Sequence, residues 1–284
     1  MTSIHTGIER SPPKPMPGAR ARWKRMDRTL RIAGLALLAL APATMALALV
    51  DDRVLDGSPI WHKPLKFQVS VAIFLLTLAC MTPLAGRRFR RSAWGRGAVW
   101  IAITTGVFEV VWITMQAGLG ARSHYNTDST FGSAMYSVMG VAAVALSLTP
   151  VVTAIAIVTR RRTGPRFAII KWGLVLGVLV SLVGTAGVGI MLGGSPDHYP
   201  QTSETLGERL PLIGWSTTGG DLRIAHFVGM HAMQGLFVLA LLLAWRSVPA
   251  ARACLVVIAL GWLGATAALA RLAVNDVSPF SLWG

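Results

Sequence analysis

Residues that could bind a cofactor or transfer protons are concentrated in four short parts of an otherwise apolar sequence. Imidazole groups bind haem iron and transition metals, and guanidinium and ammonium groups bind carboxylates and phosphates. A carboxyl group in apolar surroundings is costly and usually handles protons or cations. The four parts are residues 61–68, the pair Glu109 and Gln116, residues 122–126 and residues 219–234. Whether they act together depends on the elements that carry them.

Seven apolar runs carry or flank these residues. The composition is typical of a membrane protein, since 53% of the 284 residues are hydrophobic and only 14% are charged. Each run has about the 20 residues that an α-helix needs to cross a bilayer, and strand-like alternation is absent. Gly173, Gly177 and Gly184 give the fifth run the small-residue spacing that lets helices pack closely. The sequence therefore predicts an all-α integral membrane bundle with spans at about 31–50, 64–85, 97–120, 133–158, 168–193, 222–245 and 251–271.

The distribution of positive charge predicts the orientation. Most of the 27 lysines and arginines lie in the N-terminal tail and in the connections on one side of the predicted bundle. By the positive-inside rule we expect a cytoplasmic N-terminus, an external C-terminus and residence in the inner (plasma) membrane. The Pro-rich residues 1–25 are predicted to be a disordered basic tail, residues 26–284 the membrane domain, and 194–221 the longest external connection. Because the basic residues form short clusters between apolar runs, we expect the lipid bilayer and not nucleic acid as the partner.

Helix geometry gives the depth and direction of each polar residue. With a rise of about 1.5 Å per residue, Glu109 lies about 16 Å below the outer end of the third span and His231 about 14 Å below that of the sixth. These two therefore share a layer, whereas Gln116 and His226 lie about 6 Å deep. Glu109 and Gln116 fall on one helical stripe. His226 and His231 point roughly 140° apart, so we do not expect them to bind one ion together.

The candidate site has three groups of residues. Glu109, Gln116 and His231 are the catalytic candidates, because buried polar groups of this kind can exchange protons or contact a quinone. The candidate cofactor-binding residues, which combine imidazole ligands with cations for propionate groups, are His62, His124, His226, Lys66, Arg122 and Arg223. Among these, His124 and His226 are the candidate metal ligands. The expected cofactor is haem b or a transition metal.

Three blocks of the sequence also resemble a group of known proteins. Residues 61–67 (WHKPLKF), 121–126 (ARSHYN) and 219–234 (GGDLRIAHFVGMHAMQ) are similar to blocks of an uncharacterised family of bacterial multi-pass membrane proteins. The resemblance spans most of the helical region. It implies a polytopic membrane protein and no particular activity.

These residues fit three functional hypotheses. The first is a membrane redox protein that holds a haem or a metal at its outer face, with a quinone or a lipid as the candidate substrate. The second is a metal-dependent hydrolase or lipid-modifying enzyme, although the His-x4-His spacing of His226 and His231 departs from the His-x3-His of seven-helix zinc hydrolases. The third is a proton-coupled transporter or sensor that uses Glu109 and His231. We expect the first, and the sequence predicts no oligomeric state.

Overall fold

Seven long apolar helices form the bundle, as the sequence predicts. The computed structural model describes residues 26–161, 164–194 and 208–282, so the predicted tail of residues 1–25 lies outside the described part. Each of the seven helices found there is long and apolar enough to cross a membrane. They are α1 (Arg28–Val50), α2 (His62–Ala85), α4 (Ala93–Gly118), α5 (Thr130–Val158), α6 (Pro165–Gly194), α7 (Leu222–Arg246) and α8 (Ala251–Val274). The predicted all-α seven-helix fold is confirmed.

Several helices begin a few residues before the apolar runs that predict them, because their first turns are polar. The Asp27 carboxylate accepts hydrogen bonds from two backbone N–H groups of the first turn of α1. Ser92 and Ser129 cap α4 and α5 in the same way. α6 begins at Pro165, whose fixed φ suits the first helical position. Capping satisfies N–H groups that have no partner within the helix, so these polar residues belong to the ends of the spans.

Short elements occupy two of the connections. A five-residue helix, α3 (Arg87–Arg91), lies in the cationic connection between α2 and α4. At the opposite end of the bundle, β1 (Val54–Leu55) pairs antiparallel with β2 (Ser58–Pro59). Asp56 and Gly57 form the two-residue turn with φ values of 51° and 73°. This turn chemistry matches the right-handed twist of a hairpin, so it holds the connection between α1 and α2 close to the bundle.

The helices pack as two groups around a shared hydrophobic core. α2 packs against α1, α4 and α5, while α6 packs against α5, α7 and α8. The backbones of α6 and α7 approach closely, since a Cβ atom on Gly184 would lie 2.9 Å from the Cα of Gly229. A Cβ atom on Gly177 would lie 3.1 Å from the backbone of Met233. The close packing predicted from the glycines of the fifth span is confirmed.

The hairpin and the segment before α7 cover one end of the bundle, which we call the outer end. It is the end at which α2 begins, α4 ends and α7 begins. Residues 208–221, which we call the roof, lie across it. The Lys66 Nζ donates a hydrogen bond of 2.6 Å to the Ile213 carbonyl, and the Arg209 Nη1 donates one of 2.8 Å to the Asp56 carbonyl. The roof therefore ties α2 and the hairpin to the start of α7.

Candidate functional site

One face of α4 carries the predicted stripe of polar residues, and it is buried. Glu109 is 6% exposed and Gln116 is 7% exposed, and Trp112 and Ile113 between them are buried as well. The Trp112 Nε1 donates a hydrogen bond to the Ser123 carbonyl, which packs the following loop against the outer end of α4. The prediction that Glu109 faces the interior of the bundle is confirmed.

Glu109 lies level with a second buried polar residue, Gln68 of α2. A Cβ atom on Gly106 would lie 2.7 Å from Val71 Cγ1, so these two positions of α4 and α2 face each other. The two helices run in opposite directions. Glu109 is three residues after Gly106 and Gln68 is three residues before Val71, so both lie the same distance closer to the outer end. Gln68 is 3% exposed. Within the described residues, no group donates a hydrogen bond to the Glu109 carboxyl group.

The two histidines of α7 have different neighbours, as their azimuths predict. The His226 ring lies against α6, where a Cβ atom on Gly189 would be 3.6 Å from His226 Cε1. The His231 ring contacts the Phe227 ring, with centroids 4.2 Å apart, and Phe227 in turn contacts Trp215 of the roof. By the observed bounds of α4 and α7, Glu109 and His231 each lie about 14 Å below the outer end. The common layer of these two residues stays a prediction, because α4 and α7 have few direct contacts in the described part.

His124 belongs to an aromatic cluster at the outer ends of α2 and α5. Its ring centroid lies 5.9 Å from that of Phe67 and 6.2 Å from that of Tyr136. The Ser123 hydroxyl lies 3.1 Å from His124 Nδ1, a contact that fixes the ring orientation. His62 is the first residue of α2 and is partly buried. The described neighbours of His124 and His226 thus come from different helices.

Both arginines proposed to bind propionates have carboxylate partners. Arg122 forms an ion pair with Asp56 in the hairpin turn, at 2.6 Å, with both side chains about half exposed. Arg223 forms one with Asp221, also at 2.6 Å, but here the Asp221 side chain is fully buried. Asp221 also caps α7, accepting a hydrogen bond from the Arg223 backbone N–H. These pairs position the roof and the loop around the candidate site.

The described part of the chain contains no group of three or more His, Cys, Asp and Glu residues that could hold a metal ion. No family model, curated protein or solved structure matches the chain. The three functional hypotheses are therefore compared by the geometry of the outer end.

Five buried side-chain atoms in the described part lack a hydrogen-bond partner, and all lie between the outer end and the middle of the membrane helices. They are Gln68 Oε1, Thr185 Oγ1, His226 Nδ1, His231 Nε2 and Gln234 Oε1. Buried polar atoms are almost always hydrogen-bonded in folded proteins, and an exception often marks a ligand, a water or a catalytic role. The position of these atoms on α2, α6 and α7 marks the outer half of the bundle as a polar site.

Gln68 and Gln234 lie within two of the four predicted segments, although neither was assigned a role in the candidate site, and Thr185 lies outside all four. Gln68 carried a usable signal, because residues 68, 71, 72 and 75 share one apolar stripe of α2 that is buried throughout. Gln234 lies one turn from His231 on α7, a spacing that predicts contact between the two residues. Thr185 carried no comparable signal, since hydroxyl groups of membrane helices usually bond to their own backbone.

The outer end also has an exposed anchor at the end of α1. The Asp51 carboxylate accepts hydrogen bonds of 2.7 Å from Arg53 Nη2 and from Trp61 Nε1. The bond from Arg53 and, next, that from Trp61 hold the pKa of the Asp51 carboxyl well below its ordinary value of 3.8. The pairing raises the pKa of Arg53 in turn. These contacts join the end of α1 to the start of α2.

Proposed function

We propose that the protein is a membrane redox protein whose outer half binds the head group of a quinone. The observation that carries the proposal is the set of buried amide, hydroxyl and imidazole atoms without partners in the outer half of α2, α6 and α7. A quinone has two carbonyl oxygens that accept hydrogen bonds, and a quinol has two hydroxyl groups that donate them. Amide and imidazole side chains can do both, so the layer suits either form.

Proton exchange is the second requirement of quinone chemistry, and Glu109 is suited to it. It is the only Asp or Glu within the seven spans. The carboxyl group is buried level with Gln68. Reduction of a quinone to a quinol takes up two protons and two electrons, and the electrons would come from a separate redox protein. Glu109 would deliver or accept a proton in this layer, while Gln68 and His231 would hold the ring.

Binding of a short-chain benzoquinone to purified protein tests the proposal. The ligand is titrated in detergent and followed by quenching of tryptophan fluorescence. We expect saturable binding that weakens about tenfold in Gln68→Leu or Gln234→Leu, because each removes one hydrogen bond to the ligand. Ser147→Ala is the matched control, since its hydroxyl bonds to the Ala143 carbonyl on an exposed face of α5. Equal affinities in all four proteins, or no saturable binding, would contradict the proposal.

A haem b is the second candidate ligand, and one contact favours it. A histidine that binds a metal usually has its other ring nitrogen held by a neighbouring group, and Ser123 Oγ lies 3.1 Å from His124 Nδ1. The absorbance spectrum of purified protein tests this, since a Soret band lost in His124→Ala would identify haem ligation. Elemental analysis of the same sample separates haem iron from the zinc that a hydrolase would hold.

A further inference from the structure

Two lysines lie in the first turns of α2 without carboxylate partners of their own. Lys63 and Lys66 are three residues apart and both partly buried, so their side chains share one side of the helix. The Lys66 ammonium donates a hydrogen bond to the Ile213 carbonyl of the roof. Among the described residues, no group accepts a hydrogen bond from Lys63. In the part of the chain that the structure describes, no acidic side chain forms an ion pair with either ammonium group.

Two arginines bring further positive charge to the same place. The Arg223 Nη2 donates a hydrogen bond of 2.7 Å to the Gly214 carbonyl in the roof. A Cβ atom on Gly214 would lie 3.8 Å from Lys66 Nζ, so Lys66 is close to the same turn of the roof that Arg223 contacts. Arg209 acts on Lys66 electrostatically as well, and Lys66 acts on Lys63. Lys66 and Arg223 therefore lie beside the same turn of the roof, and Lys63 and Arg209 are within electrostatic range of Lys66.

The two acids that act electrostatically on these lysines, Asp221 and Asp56, are already paired with arginines. Asp221 acts on Lys66 and Asp56 acts on Lys63, but Asp221 pairs with Arg223 and Asp56 pairs with Arg122. Gathering like charges in partly buried surroundings is unfavourable without a counter-charge. The positive-inside rule also disfavours cations on this side of a membrane. A bound anion resolves both costs.

We propose that Lys63 and Lys66, flanked by Arg209 and Arg223, bind the phosphate group of an anionic lipid from the outer leaflet. The two lysines lie in the first turns of a membrane-spanning helix, which is the depth of lipid headgroups. The N-terminus of α2 has no side-chain cap, so its backbone N–H groups add to the positive potential. Phe227, one turn deeper than Arg223, is 43% exposed and offers an apolar surface for an acyl chain.

This site is independent of the proposed quinone site, because a quinone head carries no charge. Purified protein is delipidated, and native mass spectrometry measures binding of phosphatidylglycerol, phosphatidylcholine and inorganic phosphate. We expect the wild type to bind phosphatidylglycerol more tightly than phosphatidylcholine. Each surface cation contributes about fivefold to the affinity for an anionic lipid, so the double variant Lys63→Gln with Lys66→Gln should bind phosphatidylglycerol about 25-fold more weakly. Benzoquinone affinity is measured in the same double variant and should not change.

Two further variants make the result decisive. Arg271→Gln removes one positive charge from an exposed position near the outer end of α8 and should leave phosphatidylglycerol binding intact. Lys63→Arg with Lys66→Arg keeps both charges, so it should retain the binding even if the glutamine variant fails to fold. Equal binding of the two lipids by the wild type would overturn the proposal, as would equal phosphatidylglycerol binding by the wild type and the glutamine variant. If inorganic phosphate at an equal concentration displaced phosphatidylglycerol, the site would bind phosphate and not specifically a lipid.

Discussion

Two ion pairs of equal length at the outer end should differ greatly in their contribution to stability. Asp221 and Asp56 each approach an arginine Nη2 to 2.6 Å. The Asp221 side chain is fully buried and accepts four hydrogen bonds, one from the Ser216 N–H and three from Arg223. The side chain of Asp56 is 54% exposed. We expect Asp221→Asn to lower the free energy of unfolding much more than Asp56→Asn does.

The magnitude follows from what each substitution leaves behind. Asparagine can still cap α7, so the main loss in Asp221→Asn is the charge opposite an arginine that is only 23% exposed, about 2–3 kcal/mol. An exposed pair contributes about 0–1 kcal/mol, so Asp56→Asn should change little. Unfolding of the detergent-solubilised protein by added sodium dodecyl sulfate measures both values.

Proteolysis gives a second readout for the same pair of variants. Asp221 holds the roof through the Ser216 N–H, so Asp221→Asn should also speed cleavage between residues 208 and 221. Asp221→Ala removes the cap as well and should lose about 1 kcal/mol more. Equal losses of stability in Asp221→Asn and Asp56→Asn would refute the reasoning, because burial would then have no effect on these two pairs.

Two other predictions concern helix packing and acid stability. Gly173→Ala should lower the melting temperature in detergent, because its new Cβ would lie 2.8 Å from the Leu236 carbonyl. Gly187→Ala is the control and should be neutral or stabilising, because a Cβ atom there would have nothing within 4 Å. Similar melting temperatures of the two variants would contradict the α6–α7 contact. The pKa of Asp51 is lowered in the folded protein, so the stability it contributes is fully present above pH 3.8 and is lost as the pH falls further. Asp51→Asn should therefore be less stable at neutral pH and should show a smaller decline between pH 4 and pH 2, measured by melting at each pH.

The number and place of the membrane helices could be predicted because they depend on local properties. A run of about 20 apolar residues can satisfy its backbone hydrogen bonds in a bilayer only as a helix. The burial of Glu109 could be predicted because an ionisable group that faces lipid is costly. The hairpin was missed although Asp56-Gly57 is a strong signal for a two-residue turn.

The charge pairing at the outer end could not be predicted. Arg122 pairs with Asp56, 66 residues away, and Arg209 bonds to a carbonyl 153 residues away. Such contacts depend on how separate connections fold over one another, which helical spacing does not describe. Arg209 was therefore not predicted as part of this group of cations, and the acids that pair with Arg122 and Arg223 were not identified individually.

The glycine contact between α6 and α7 limits the routes by which a membrane-soluble molecule can reach the interior. Gly184 and Gly229 leave no room for an acyl or isoprenoid chain to pass between these helices. α2 and α7 have few direct contacts in the described part, and near the outer end the Lys66 bond to the roof bridges them. A route from the bilayer would therefore lie between α2 and α7, and we expect ligand exchange to be faster in variants of Lys66 than in variants of either glycine, with the ligand affinity unchanged.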